Sequence, residues 1–143
     1  MDNQFHLLPY FPQLESDGFD VTSPTNSFYN CFAWAANDNA RWWEPAEDGY
    51  WPERIIREAS LTAFLQAFGT LGYKPCTDGD YERDFEKIAL YSNIHGPQHA
   101  ARQLADGTWT SKLGPHEDIG HANLRAIEGD VYGSVLQFLK RAI

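Results

Sequence analysis

Apolar residues recur with two different periods along this chain, and the change of period separates a helical first half from a stranded second half. In the first half Phe28, Cys31, Phe32 and Ala35 fall at helical spacing and share one face. Asn26 or Ser27, closing the turn-rich run 22–27, is expected to supply the N-cap. Leu61, Phe64, Leu65, Phe68 and Leu71 repeat the pattern behind Ser60, and Gly72 is placed to stop it. In the second half the apolar runs are shorter. Residues 87–91 read as a strand, and residues 99–104 and 108–113 as two more. The last two flank Asp106-Gly107, a two-residue hairpin signal. Residues 116–128 read as a loop and a short helix, and residues 132–140 as a further strand. The expectation is a single α+β domain, residues 1–143, with N-terminal helices (Cys31 on the first) packed on a small C-terminal antiparallel sheet.

Three segments lack either period. Residues 5–26 hold Pro9, Pro12, Pro24 and Gly18 and read as irregular chain wrapping the domain. Residues 41–53 set Trp42, Trp43, Tyr50 and Trp51 among prolines and a glycine. Such rings either wall a cleft or cap the core beneath a long loop. Residues 76–84 form an acidic loop without the ligand spacing of a calcium-binding loop, so a solvated turn is expected.

Composition narrows the classes of function. With 143 residues, 43% hydrophobic and 15% aromatic, the chain can bury a proper core. A formal net charge of -9 leaves no basic stripe for phosphates, so neither nucleic acid nor an anionic membrane is an expected partner. The same charge suits a basic protein partner. The two cysteines make no disulfide framework. The N-terminus lacks a basic region followed by an apolar run, and no run is long enough to span a bilayer. A soluble, cytoplasmic protein is the expectation.

The candidate chemistry starts at Cys31. A thiol in the first turn of a helix meets the positive end of the backbone dipoles, which favours thiolate. A hydrolase would also need a histidine to share the proton and a group to orient it. Of the five histidines, His99 opens a strand of the hairpin. A two-residue turn at Asp106-Gly107 would put His99, Ala101, Gln103, Thr110 and Lys112 on one face. A one-residue bulge would bring Ser111 there instead.

A cysteine opening a helix, a strand, a strand opening on histidine, a glycine-containing turn and a strand with a third polar residue together resemble the papain-like superfamily, its compact NlpC-type and CHAP-type branch above all. The stretches that carry the resemblance are Asn30-Cys31-Phe32-Ala33-Trp34-Ala35 and residues 99–111. It implies a cysteine peptidase or amidase acting on a peptide or amide, without a cofactor. Cys31 would be the nucleophile and His99 the base, with Ser111 or Lys112 at the third position. Gln103, Asp118 or Glu117 are alternatives for that place. Cys31 N–H and Asn30 would hold the oxyanion, and Trp42, Trp43 and Trp51 would wall the cleft. The runs 99–104 and 109–114 also resemble an uncharacterised bacterial domain family without assigned function.

Two other readings stand beside the enzyme. One is a catalytically inert acidic interaction or immunity-type protein, meeting a basic partner through loops 44–48 and 78–86. The other is a metal site drawing on His95, His99, His116 or Cys76, for which no ligand pair has the usual spacing. An open cleft with Cys31 against His99 would favour the enzyme; a thiol sealed in the core would count against it.

Overall fold

The computed structural model describes residues 11, 19–23, 29–38, 40–46, 49–113, 118–121 and 123–143. Its elements in chain order are β1 (Asp20–Ser23), α1 (Cys31–Ala35), α2 (Leu61–Gly69), β2 (Lys74–Cys76), β3 (Phe85–Asn93), β4 (Gly96–Gln103), β5 (Trp109–Lys112), β6 (Asp118–His121), one 3₁₀ turn (Leu124–Ile127) and β7 (Ser134–Ala142). The strands form one seven-stranded sheet in the order β1-β6-β5-β4-β3-β7-β2, and every pairing is antiparallel.

This corrects the expected fold class. The molecule is dominated by its sheet, with two short helices on it, rather than by helices resting on a small sheet. Three of the four strands that have only three or four residues, β1, β2 and β6, extend the sheet at and near its edges. Runs that short carry too few alternations to register as strands. β1 lies inside the segment read as irregular, and β6 inside the segment read as loop and helix. The first helix is also shorter than the apolar pattern suggested. Asn30, in extended conformation, caps α1 by accepting from Ala33 N–H. Asn26, Ser27 and Phe28 lie outside the described residues, as do His116 and Glu117. α2 follows its pattern: Ser60 caps it, and the chain turns away at Gly72 with φ +94°.

Alternation along β3, β4 and β7 divides the core into two layers. On one face Ile88, Leu90, Ala100 and Leu139 meet Cys31, Phe32, Phe64, Phe68, Trp43 and Trp51. On the other, Ala89, Tyr91, Ala101, Trp109 and Ile119 meet Phe11, Ala126, Ile127 and Tyr132. No helix among the described residues is long and apolar enough to cross a membrane.

The turn between β4 and β5 decides what shares a face. Leu104 N–H donates to Thr108 O at 2.8 Å and Gly107 N–H to Leu104 O at 2.9 Å. Gly107 has φ +89°. The loop is therefore residues 105–107, one longer than the Asp-Gly signal implies, with glycine in the left-handed position such a loop requires. Arg102 accordingly pairs with Thr110 and Gln103 with Trp109. The one-residue shift carries Ser111 to the face of His99 and sends Thr110 and Lys112 to the face of α1.

Candidate functional site

Polar side chains gather in the core where β4, β5 and β6 run together. His99, Ser111, Lys112, Asp118 and His121 are all buried. They fall into two groups, one on each face of the sheet.

The group beside α1 contains Cys31, Tyr29, Lys112 and Asp118. Lys112 stands opposite Asp118 in the β5–β6 register. Its ammonium lies 5.3 Å from the centre of the Tyr29 ring, and the Tyr29 hydroxyl donates to Asp118 Oδ2 at 2.8 Å. Burial, with that hydrogen bond and the carboxylate charge, pushes the Tyr29 phenol up to about 12. The Cys31 thiol is also pushed up to about 12, because burial outweighs the N–H groups of Ala100, Phe32 and Cys31 and the charge of Lys112, all of which favour thiolate. Ala100, whose N–H meets the thiol, is the residue after His99.

The group on the other face is a chain of three side chains. His99 Nε2 is 2.9 Å from Ser111 Oγ, and Ser111 Oγ is 2.8 Å from His121 Nε2. His121 Nδ1 reaches Asn123 O at 2.9 Å. Asn123 is itself fixed, since its side chain caps the 3₁₀ turn. The His99 ring stacks on Tyr132 at 4.1 Å and meets Tyr91 edge-on at 5.3 Å. Its Nδ1 is buried and makes no hydrogen bond. Burial holds His99 well below the ordinary histidine range, helped by the nearby His121. His121 is lowered too, by burial against the opposing pull of Asn123 O. Tyr132 links the groups: burial, then the proximity of Cys31 and Tyr91, holds its phenol protonated.

The geometry therefore joins Ser111 to His99 on one face of the sheet and leaves Cys31 and Lys112 on the other. Asn30 is fully engaged elsewhere. Its Oδ1 accepts from Ala33 N–H and Trp43 N–H, and its Nδ2 donates to Trp43 O. Trp43 and Trp51 are core residues, packed on Phe68 and Phe64 at 6.1 and 5.1 Å. Trp42 is on the surface. The cysteines are free thiols. Asp78 and Glu82 of the acidic loop pair with the buried Lys87 at 3.1 and 2.7 Å. Among the described residues no three histidines, cysteines or carboxylates are grouped to hold a metal.

His121 was the residue that sequence reasoning missed. The only signal for it was the alternation in Asp118-Ile119-Gly120-His121, a stretch of four residues.

Residues 20–140 match the family described as Domain of unknown function (DUF7689). The chain belongs to this family. No curated protein and no solved structure matches it.

Proposed function

We propose that this protein is a cysteine hydrolase of papain-like type, cleaving an amide or peptide bond with Cys31 as nucleophile and His99 as base. The observation that carries the reading is the state of His99. One ring nitrogen is held by Ser111 while the other is buried and bare, and the next residue's N–H meets the Cys31 thiol. A core built only for stability would fill this volume with apolar side chains. Two histidines on one face of the sheet, and a lysine and an aspartate beside a helix-start cysteine on the other, break that rule, as functional sites do.

The resting pair is neutral thiol and neutral imidazole, since burial disfavours both ions. Catalysis then begins with the substrate in place. Cys31 Sγ attacks the carbonyl carbon as its proton passes to His99 Nδ1, a transfer that requires the His99 ring, seated on the opposite face of the sheet from Cys31 in the resting structure, to be brought to the thiol. Backbone N–H groups at the start of α1 stabilise the oxyanion. Collapse of the adduct expels the amine, which takes the proton from His99, and leaves a thioester. Water adds to the thioester through the same base and restores the thiol. Lys112 favours the thiolate electrostatically. Asn30, with both ends of its amide engaged, shapes the helix start instead of binding the oxyanion.

Turnover tests this. A peptide-amide library should be cleaved by the native protein and by neither Cys31→Ala nor His99→Ala, both of which should remain folded. Cleavage that survives either substitution, or no cleavage by the native protein, would overturn the proposal.

The sealed thiol favours a second reading, a catalytically inert acidic module that binds a basic protein. Its mark is salt-sensitive binding to that partner, unchanged by Cys31→Ala. Because Asp78 and Glu82 are paired internally, the contact would fall on carboxylates outside that cluster.

A further inference from the structure

The hydrogen bonds of the buried chain leave one consistent arrangement of protons. Asn123 O is a carbonyl and can only accept, so His121 Nδ1 carries a hydrogen. Burial keeps His121 neutral, so its Nε2 is a bare acceptor. The Ser111 hydroxyl has one proton and must donate it to that nitrogen. Ser111 Oγ can then only accept from His99, so His99 carries its hydrogen on Nε2. A neutral His99 with Nε2–H has a bare Nδ1, and this is the nitrogen without a hydrogen-bond partner in the structure. Three groups, on β5, on β6 and at the head of the 3₁₀ turn, thus set the tautomer of one ring. Stacking on Tyr132 and the edge contact with Tyr91 fix its plane.

We propose that His121, acting through Ser111, is a positioning residue that locks His99 in the Nε2–H tautomer and keeps Nδ1 free to take a proton. The use of that free nitrogen rests on the hydrolase reading; the locking does not. In the papain-like resemblance a single side chain fills the third position. Here the place is filled by a hydroxyl whose direction is imposed by a second histidine. A serine alone orients weakly because its proton can point either way. His121, anchored to the Asn123 carbonyl, removes that freedom. The carbonyl in turn is held because Asn123 caps the 3₁₀ turn, with Ala126 N–H donating to its side chain at 3.1 Å.

Long-range proton–nitrogen NMR of protein carrying ¹⁵N-labelled histidine reads this directly. Near neutral pH, His99 should show a protonated Nε2 and an unprotonated, pyridine-type Nδ1. His121 should show the reverse. Ser111→Ala should shift His99 towards a mixture of tautomers, and Ser111→Thr, which keeps the hydroxyl, should restore the native pattern. His121→Gln, whose amide oxygen can still accept from Ser111, should preserve the His99 tautomer. If the hydrolase reading also holds, Ser111→Ala lowers the rate of amide cleavage by about 10- to 100-fold, the scale on which partners orienting a working side chain act. A native His99 protonated at Nδ1, or a tautomer indifferent to Ser111→Ala, overturns the proposal. A bare Nδ1 beside an unreactive Cys31 supports the locking and removes the hydrolase. An Nδ1–H tautomer in a protein that still cleaves amides removes the locking alone.

Discussion

The two faces of the sheet solve different problems with equal burial. Against α1 and α2 the layer is aromatic and aliphatic, with Phe64, Phe68, Trp43 and Trp51 interlocked over Ile88, Leu90 and Leu139. Such packing needs no partners beyond shape, and its stability scales with the area removed from water. Against the 3₁₀ turn the layer holds His99, Ser111 and His121 among Tyr91, Tyr132 and Ile119. There each polar group must find a specific partner or costs free energy. Cys31 stands on the apolar side of this divide, held to the sheet by the Ala100 N–H. One face thus draws its stability from shape, with Cys31, Tyr29, Lys112 and Asp118 gathered at one end of it. The other accepts an energetic cost and gains a ring fixed in plane and tautomer.

Substitutions should separate the two layers. The largest loss is expected from Phe68→Ala, about 3–5 kcal/mol as for large-to-small changes at fully buried aromatics. Denaturant unfolding measures it, and the His99 tautomer should survive wherever the protein is folded. A loss below about 1 kcal/mol would show that this layer is not the stabilising one. Asp118→Asn should cost less, about 1–3 kcal/mol, because it weakens the buried acceptor of the Tyr29 hydroxyl. Asp118→Asn combined with Tyr29→Phe should lose less than the sum of the two single variants, and a purely additive double variant would argue against coupling.

The polar layer should also reveal itself through pH. His99 and His121 have folded-state pKa values below the unfolded histidine value. Below that unfolded value, near 6.5, the unfolded chain binds protons that the folded protein refuses. Stability is therefore fully present above about pH 6.5 and falls as the pH drops towards the folded pKa values. The slope is at most about 1.4 kcal/mol per pH unit for each histidine. Melting curves between pH 7 and 5 follow it, and His121→Gln should make the decline shallower. An unchanged slope would place the acid sensitivity elsewhere. The smallest effect belongs to Trp42→Ala. This surface indole should be worth no more than about 0.5 kcal/mol, whereas Trp43→Ala, inside the apolar layer, should cost about 3–5 kcal/mol. Similar values for the neighbouring tryptophans would contradict the assignment of one to the surface and the other to the core.

The parts of this structure open to sequence reading are those decided by local physics. Ser60 and the spacing from Leu61 to Leu71 predict α2, because capping and one-sided burial act within a few turns. The three long strands follow from runs of alternating or apolar residues at 87–91, 99–104 and 132–140, of which the first lies within β3 and the other two overlap β4 and β7. The sequence-based hairpin was correct in place and wrong in register. Asp106-Gly107 fits a two-residue or a three-residue loop equally, and the choice depends on how the strands twist against their neighbours. That single residue decided whether Lys112 or Ser111 would share a face with His99.

For the candidate site, Cys31 at a helix start and His99 on a strand are readable from the chain, since each follows from its own neighbours. Whether they work together is not. Burial of the thiol, the neutrality of the imidazole and the arrival of His121 through β6 come from segments far apart in sequence. They depend on low-dielectric surroundings that no local pattern encodes. The amino-acid order settled the periodicities, the cap of α2 and the identity of the reactive side chains, because those are short-range matters of backbone and side-chain chemistry. The tertiary structure alone settled the sheet's extent, the face of each polar residue and the direction of each proton in the His99–Ser111–His121 chain, because a hydrogen bond in a dry core is fixed by all the partners around it at once.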